Sequence, residues 1–309
     1  MTASQTHRWI PEPQLDNVAD NVFAYLQLDG GWCLSNAGIV LGGSDTFVID
    51  TAATITRARL LREAVTLLGQ NAPVTVINTH HHGDHTFGNC VFVPEAAIVA
   101  HDLARTEMAE AGLGLQGLWP EVQWGEVRLT LPTVTFPDRM TLHAAGLRME
   151  LVHVGPAHTT NDVVVWLPER GVLFAGDVVS NGVTPFCLMG SVSGSLRTIE
   201  RLRSFGATTI VPGHGPVGGP ELLDDTSRYL RWLQALAADG IAAGLPPLEL
   251  ARQTDLGGYA DLIDDERIVG NLVRAYAEHD GLAPGEPLDV LAAFRQMIDY
   301  HGALPACFA

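Results

Sequence analysis

Val74-Thr75-Val76-Ile77-Asn78-Thr79-His80-His81-His82-Gly83-Asp84-His85 is the stretch that decides how this chain folds. Val74 to Asn78 has the composition of a buried strand. It runs directly into a polar loop, Thr79 to His85, that holds four histidines and an aspartate. In a tight loop alternate side chains share a side, so His80 and His82 can meet one cation while Asp84 and His85 face a neighbouring one. Zinc favours imidazole nitrogen and carboxylate oxygen. Without a metal, so dense a cluster of imidazoles has no evident structural purpose. The competing reading is a loop that is merely polar, since short motifs carry a false-positive risk.

Three residues further along decide between those readings. His158, Asp177 and His214 each follow an apolar strand pattern: Met149 to Val154 before Gly155-Pro156-Ala157-His158, Val172 to Ala175 before Gly176-Asp177, and Thr209 to Val211 before Pro212-Gly213-His214-Gly215. Taken singly, each is an ordinary polar loop residue. Together with the cluster they complete two coordination spheres. Binding groups on loops held by a rigid sheet are a common arrangement.

Around these landmarks the first half reads as short strands at Val22 to Leu28, Gly38 to Gly42 and Thr46 to Asp50. A helix is expected from Thr54 to Leu68, with Ile55, Ala58, Leu61, Ala64 and Leu68 at helical spacing and Gly69 ending it. Val163 to Trp166 is a further strand, and Ser195 opens a helix reaching Phe205. From Pro220 the character changes: Pro220 to Ala238, Asp265 to Glu278 and Pro287 to Tyr300 are helical patterns with no strands between them. The division expected is a catalytic core over residues 1–219 and a helical C-terminal extension over 220–309 packed on it.

The 309 residues are 47% apolar and 17% charged, enough for a sizeable core. The net charge is -17, and the chain has no Lys, so all 18 Lys-or-Arg positions are Arg. Long nucleic acid is therefore excluded as an expected partner, because binding it depends on neutralising phosphates. Cys33, Cys90, Cys187 and Cys307 show no C-x-x-C spacing and read as reduced, packed thiols. Met1 to Pro13 lacks a basic start followed by an apolar stretch, and no run approaches the ~20 apolar residues of a membrane span. A cytoplasmic protein without membrane contact is expected, with a homodimer as the default assembly.

Thr79 to His85, the Gly-Pro-Ala-His ending at His158, Phe174-Ala175-Gly176-Asp177 and Pro212-Gly213-His214-Gly215 together resemble the metallo-β-lactamase superfamily. That resemblance implies an α+β fold, a four-layer αββα sandwich. It implies two zinc ions, with other transition metals able to substitute. His80, His82 and His158 would hold the first ion, Asp84, His85 and His214 the second, and Asp177 would bridge them. Asp84 would also orient an activated water. Asp50, in Val48-Ile49-Asp50-Thr51, resembles an acidic position near the histidine loop and is either an orienter of a ligand or a helix N-cap. No Ser-His-Asp or Cys-His nucleophile motif is present.

A narrower resemblance spans most of the chain. Gly30-Gly31-Trp32-Cys33-Leu34-Ser35-Asn36-Ala37-Gly38, Gly117-Leu118-Trp119-Pro120, Trp124-Gly125-Glu126, Val134-Thr135-Phe136, Thr184-Pro185-Phe186 and Tyr229-Leu230-Arg231-Trp232 look like the zinc-dependent second-ring cyclases of bacterial type II aromatic polyketide pathways, the actinorhodin type. This resemblance implies a bifunctional cyclase and thioesterase. Its substrate would be a partly cyclised poly-β-ketone held as a thioester on an acyl carrier protein. Aldol closure with loss of water would form the second ring, and hydrolysis would release the acid. Both steps need stabilisation of an oxyanion, and a folded chain makes closure effectively unimolecular.

Such a substrate needs a long, flat, apolar pocket. Trp119 and Trp124, in the Gly-rich stretch Ala111 to Gly125 suited to a lid, are expected to line it, with Thr184, Phe186, Leu188 and Met189. Plain core packing is the competing reading for each aromatic. Arg228 and Arg231, with Arg57, Arg59 and Arg62, form either a contact for an acidic carrier protein or a solvated charged face. Antibiotic-destroying members of the superfamily carry a cysteine where Asp177 stands, which argues against β-lactam hydrolysis. Two alternatives stay open: a lactonase or glyoxalase-type glutathione thioesterase, for which Arg197, Arg201 and Arg203 would supply basic groups, and a metal-bearing but inactive biosynthetic partner.

Overall fold

The computed structural model describes residues 12–144 and 146–309. Residues 1–11, on which most of the reading of the N-terminus rests, lie outside them. Within the first half the elements are β1 (Gln14–Ala19), β2 (Val22–Leu26), β3 (Ala37–Leu41), β4 (Thr46–Ile49), α1 (Ile55–Gly69), β5 (Val74–Ile77), the single turns α2 (Gly83–Thr86) and α3 (Asn89–Phe92), β6 (Ala97–His101), α4 (Asp102–Ala111) and β7 (Val134–Phe136). There follow β8 (Arg139–Ala144), β9 (Leu147–His153), β10 (Val163–Leu167), β11 (Val172–Ser180), α5 (Val192–Arg203) and β12 (Thr209–His214). Four helices end the chain: α6 (Glu221–Ala242), α7 (Pro247–Gln253), α8 (Arg267–His279) and α9 (Val290–His301).

Strands β1 to β7 form one sheet in chain order, antiparallel through β4 and parallel from β4 to β7. The second sheet runs β12-β11-β10-β9-β8. The period of two along each strand builds the layers, because successive side chains face opposite sides. Val40, Ile49, Ile77 and Val99 meet Leu151, Val163, Val165 and Phe174 between the sheets. Their chain neighbours Ile39, Val48, Val76 and Ile98 turn outward onto Leu61 and Val65 of α1. On the far side Val152, Val164 and Trp166 pack against Ile199 and Leu202 of α5 and Leu222 of α6. The order is helix, sheet, sheet, helix, the four-layer αββα architecture expected from the sequence. Helices α6 to α9 share a further apolar cluster with Phe87, Trp119, Trp124 and Phe186. Among the described residues, no helix is long and apolar enough to cross a membrane.

Several boundaries differ from the sequence reading, each for a local reason. The loop Thr79 to His85 closes into the turn α2 from Gly83. Strand β11 does not stop at Ala175 but runs to Ser180, so Asp177 lies within it. The pairing of β11 with β12 slips around Gly176, whose φ is +52°. Such a bulge re-aims a side chain, and here the next residue is Asp177. His214 likewise closes β12 and is not in a following loop. Helix α5 starts at Val192 and not at Ser195, because Ser191 caps it by accepting from Gly194 N at 2.7 Å. Strands β1, β6, β7 and β8 and helices α3, α4 and α7 are not among the elements expected from the sequence.

Candidate metal centre and its cavity

The candidate ligands lie in loops and strand ends on one rim of the sandwich, and a hydrogen-bond scaffold fixes which atom each presents. Asp50 accepts from Thr79 N at 2.7 Å and from Thr79 Oγ1 at 2.6 Å. Having given its single proton to Asp50, the Thr79 hydroxyl must accept from His80 Nδ1, 3.0 Å away. His85 Nδ1 donates to Asp50 Oδ2 at 2.9 Å. Carbonyl oxygens can only accept, so His158 Nδ1 donates to Phe186 O at 2.6 Å and His214 Nδ1 to Gly30 O at 2.9 Å. Four imidazoles are thereby locked with Nδ1 donating to the scaffold and Nε2 facing inward. The N-cap of α1 is Thr54, which leaves Asp50 to its histidine partner.

The inward atoms converge. His80, His82, His158 and Asp177 place one donor atom each within 4.8 Å of one another, as do Asp84, His85 and His214. Asp177 touches both groups: its Oδ1 is 3.1 Å from His85 Nε2, and its Oδ2 is 3.4 Å from His158 Nε2 and 3.3 Å from His214 Nε2. Asp84 Oδ2 is 3.3 Å from His214 Nε2. His82 Nδ1 lies 2.9 Å from His158 Nε2. The Nε2 atoms of His80, His82 and His85 and Oδ1 of Asp177 are buried with no hydrogen-bond partner. Buried polar atoms are rarely left so. Orphaned nitrogen and oxygen lone pairs pointing at common centres fit divalent cations, and this donor set suits zinc.

Electrostatics sort the imidazoles into two kinds. Burial, then neighbouring imidazoles, holds His80 and His82 well below the ordinary histidine range. Burial pushes His158 down to about 4. For His214 burial opposes the charge, but the carboxylates of Asp177 and Asp84 outweigh it and raise the value to about 9. His85 is raised well above its usual value in the same way, against its burial, by Asp177, Asp84 and Asp50. Asp177, despite burial, is kept well below the carboxylate range by His214, His85 and His158. His81 turns away from the cluster: its Nδ1 is 3.0 Å from Asn161 Nδ2 and 3.4 Å from Glu107 Oε2. His101 and His153 stack on each other at 3.9 Å, apart from the ligand set.

The run Gly30 to Gly38 belongs to the scaffold. Asn36 Nδ2 donates to Pro212 O at 3.0 Å and Gly215 O at 2.7 Å, and Ser35 Oγ donates to Asp84 O at 2.7 Å. One loop thus pins two segments that carry candidate ligands.

A cavity of about 490 Å³ opens onto Asp84, Asp177, His82, His158 and His214. Phe186 and Met189 line it as expected. Trp119, Trp124, Thr184 and Leu188 do not. Trp119 and Trp124 are buried in the wall behind, where Trp119 donates to Pro305 O and Trp124 to Trp119 O. Leu188 is fully buried, and Thr184 meets Arg267 only through its carbonyl oxygen. Of the stretch Ala111 to Gly125, only the part from Ala111 to Leu118 reaches the cavity. Trp32, Phe87, Arg267, Leu291 and Phe294 also line it and were not anticipated. Trp32 lay in a run already singled out; Arg267 and Phe294 carried no signal, since they arrive from α8 and α9. The arginines considered as a docking face are mostly engaged locally: Arg57 with Gln27 and Phe308 O, Arg62 with Val91 O, Arg228 with Asp225 and Arg231 with Glu200.

Residues 30–214 match the family model described as the Metallo-beta-lactamase superfamily. The chain is 25% identical over 228 residues to a Metallo-beta-lactamase type 2 of Bacteroides fragilis, covering 70% of this chain and 84% of that protein. It is 29% identical over 174 residues to a hydroxyacylglutathione hydrolase of a Synechococcus species, covering 53% of this chain and 57% of that protein. Among solved structures, a metallo-beta-lactamase from Pontibacter korlensis superposes with a TM-score of 0.60 at 23% identity, over 71% of this chain and 99% of that one.

Proposed function

This chain belongs to the metallo-beta-lactamase superfamily, and from that premise we propose that it closes the second ring of an aromatic polyketide and then releases the product as a thioesterase. As a member it is a metal-dependent hydrolase. The finer reading places its substrate on an acyl carrier protein as a partly cyclised poly-β-ketone thioester. The observation that carries it is the cavity: about 490 Å³ in volume, walled by Trp32, Phe87, Phe186 and Phe294, and floored by both ligand groups. Aromatic walls suit a flat, largely apolar acyl chain.

His80, His82 and His158 would hold one divalent ion, Asp84, His85 and His214 the other, and Asp177 would join them. Zinc ions so held supply a water ionised near neutral pH and polarise a carbonyl oxygen. The Asp84 carboxylate faces the cavity and can orient a water by accepting its O–H. Its pKa is held below the usual carboxylate value, against its burial, by His85 and His214, so it stays an acceptor at neutral pH. The aromatic walls exclude solvent and hold the chain folded, which favours intramolecular closure over side reactions. Similarity to a hydroxyacylglutathione hydrolase supports hydrolysis of an acylated carrier. The glutathione reading itself gains no support from the arginines named for it. Arg201 donates to His153 O, Arg203 pairs with Glu200 and Asp224, and none of Arg197, Arg201 and Arg203 lines the cavity.

The test is turnover of a partly cyclised poly-β-ketone thioester on a carrier protein, with free thiol and dehydrated product followed separately. Both should appear, and both should vanish in His82→Ala and after chelation of the metal. Thiol release without ring closure would reduce the enzyme to a thioesterase, and release of neither would overturn the reading.

A further inference from the structure

Arg267 is the only arginine among the described residues lining the cavity, and it is 4% exposed. Its guanidinium is held by two rings, a carboxylate and a carbonyl. The Cζ atom lies 4.1 Å over the Trp32 ring and 5.9 Å from that of Phe186. NH2 meets Asp264 Oδ2 at 2.8 Å, and NH1 donates to Thr184 O at 3.2 Å. Trp32 is itself anchored, donating from Nε1 to Glu266 Oε1 at 2.6 Å. Cation–π stacking and the Asp264 pair thus hold the planar group in one orientation.

A strut would exhaust its donors, and this one does not. A guanidinium has five N–H donors, and these bonds use two; Nε is buried with no partner at all. Nor does helix stability explain the placement. Arg267 is the first residue of α8, where the helix dipole disfavours a cation. Burying a charged donor with spare N–H groups costs free energy that a ligand acceptor can offset.

We infer that Arg267 is a specificity-determining residue that reads a 1,3-dicarbonyl, as its enol or enolate, in the acyl chain. Resting on the reading of this cavity as the acyl site, the inference names what that site recognises. An enolised 1,3-dicarbonyl offers two coplanar oxygens on one edge, and a planar guanidinium fork offers parallel N–H groups to match. The flat acyl group would lie along Trp32, with its oxygens turned to Arg267. A site built to donate to such oxygens rejects an analogue that lacks one, because its buried donors are then left unpaired.

The test is calorimetric titration of the zinc-loaded protein with 1-phenylbutane-1,3-dione and with 1-phenylbutan-1-one, the same skeleton without the second oxygen. The wild type should prefer the dione roughly tenfold or more. Arg267→Lys keeps a charge opposite Asp264 but loses the fork, and should lose most of that preference. The double change Asp264→Asn with Arg267→Gln removes both buried charges and guards against misfolding, with thermal melting as the check; it should lose the preference too. No preference in the wild type overturns the inference. So does a preference that survives in the variants, because the metals alone would then explain it. An Arg267-dependent preference in a protein that turns over no polyketide thioester would uphold the inference and sink the proposed function.

Discussion

Asp50 Oδ2 sits 2.9 Å from Nδ1 of His85, and the same carboxylate takes the Thr79 amide at 2.7 Å. One buried acid therefore orients candidate ligands of both groups, His85 directly and His80 through Thr79. Asp50 has φ of +59°, a conformation that asparagine tolerates. Asp50→Asn should consequently keep the backbone but set an NH2 against a donor. Zinc affinity should fall by about 10–100-fold. Competition against a chromophoric chelator measures it, and unchanged affinity would show that Asp50 braces the loop alone.

Metal uptake should release protons. In the metal-free protein His214 titrates near 9, above its unfolded value of about 6.5. Its contribution to metal-free stability is fully present below about pH 6.5 and is lost as pH rises through about 9. Zinc needs the neutral imidazole, so affinity moves the opposite way. It should climb about tenfold per pH unit for each proton displaced, levelling off near pH 9. Titrations in two buffers of different ionisation enthalpy count the protons. Uptake with none released would mean that His214 and His85 are already neutral.

Gly213→Ala should cripple the centre without replacing a candidate ligand. A Cβ there would stand 1.8 Å from Asp177 Oδ1 and 2.7 Å from the Gly176 carbonyl carbon. Backbone on one side leaves only the Asp177 carboxylate free to move. Metal content by elemental analysis should drop well below that of the wild type, with a lower melting temperature. Full loading would mean that β11 and β12 can separate at low cost.

Trp119 and Met189 separate wall from lining. Trp119 packs 5.4 Å from Trp32 and 5.7 Å from Phe294 and donates to Pro305 O at 2.7 Å. Trp119→Ala should cost about 3–5 kcal/mol of stability. Met189 borders the cavity and is only partly buried. Met189→Ala should cost less than half as much and act mainly on KM. Denaturant unfolding and steady-state kinetics decide, and a Trp119 variant of wild-type stability would return that residue to the pocket.

The amino-acid sequence alone determined the candidate donor residues and the layers. Imidazole and carboxylate chemistry is a property of the residue, so His80, His82, Asp84, His85, His158, Asp177 and His214 could be named in order before any geometry was known. Alternation along β4, β5 and β10 is local too, and it dictated two-faced strands. Boundaries blurred where tertiary pairing overrode local preference, as when β12 drew β11 onward past Gly176. Only the tertiary structure decided what the cavity is made of. Apolar character says that Trp119 and Phe294 are both covered, but not that one backs the wall while the other faces the void. Arg267 reaches the site because α8 and α9 close over loops far away in the chain, and Asp50 serves His85 because β4 lies beside β5. A void is defined by surfaces from many segments at once, and no short stretch of sequence carries that information.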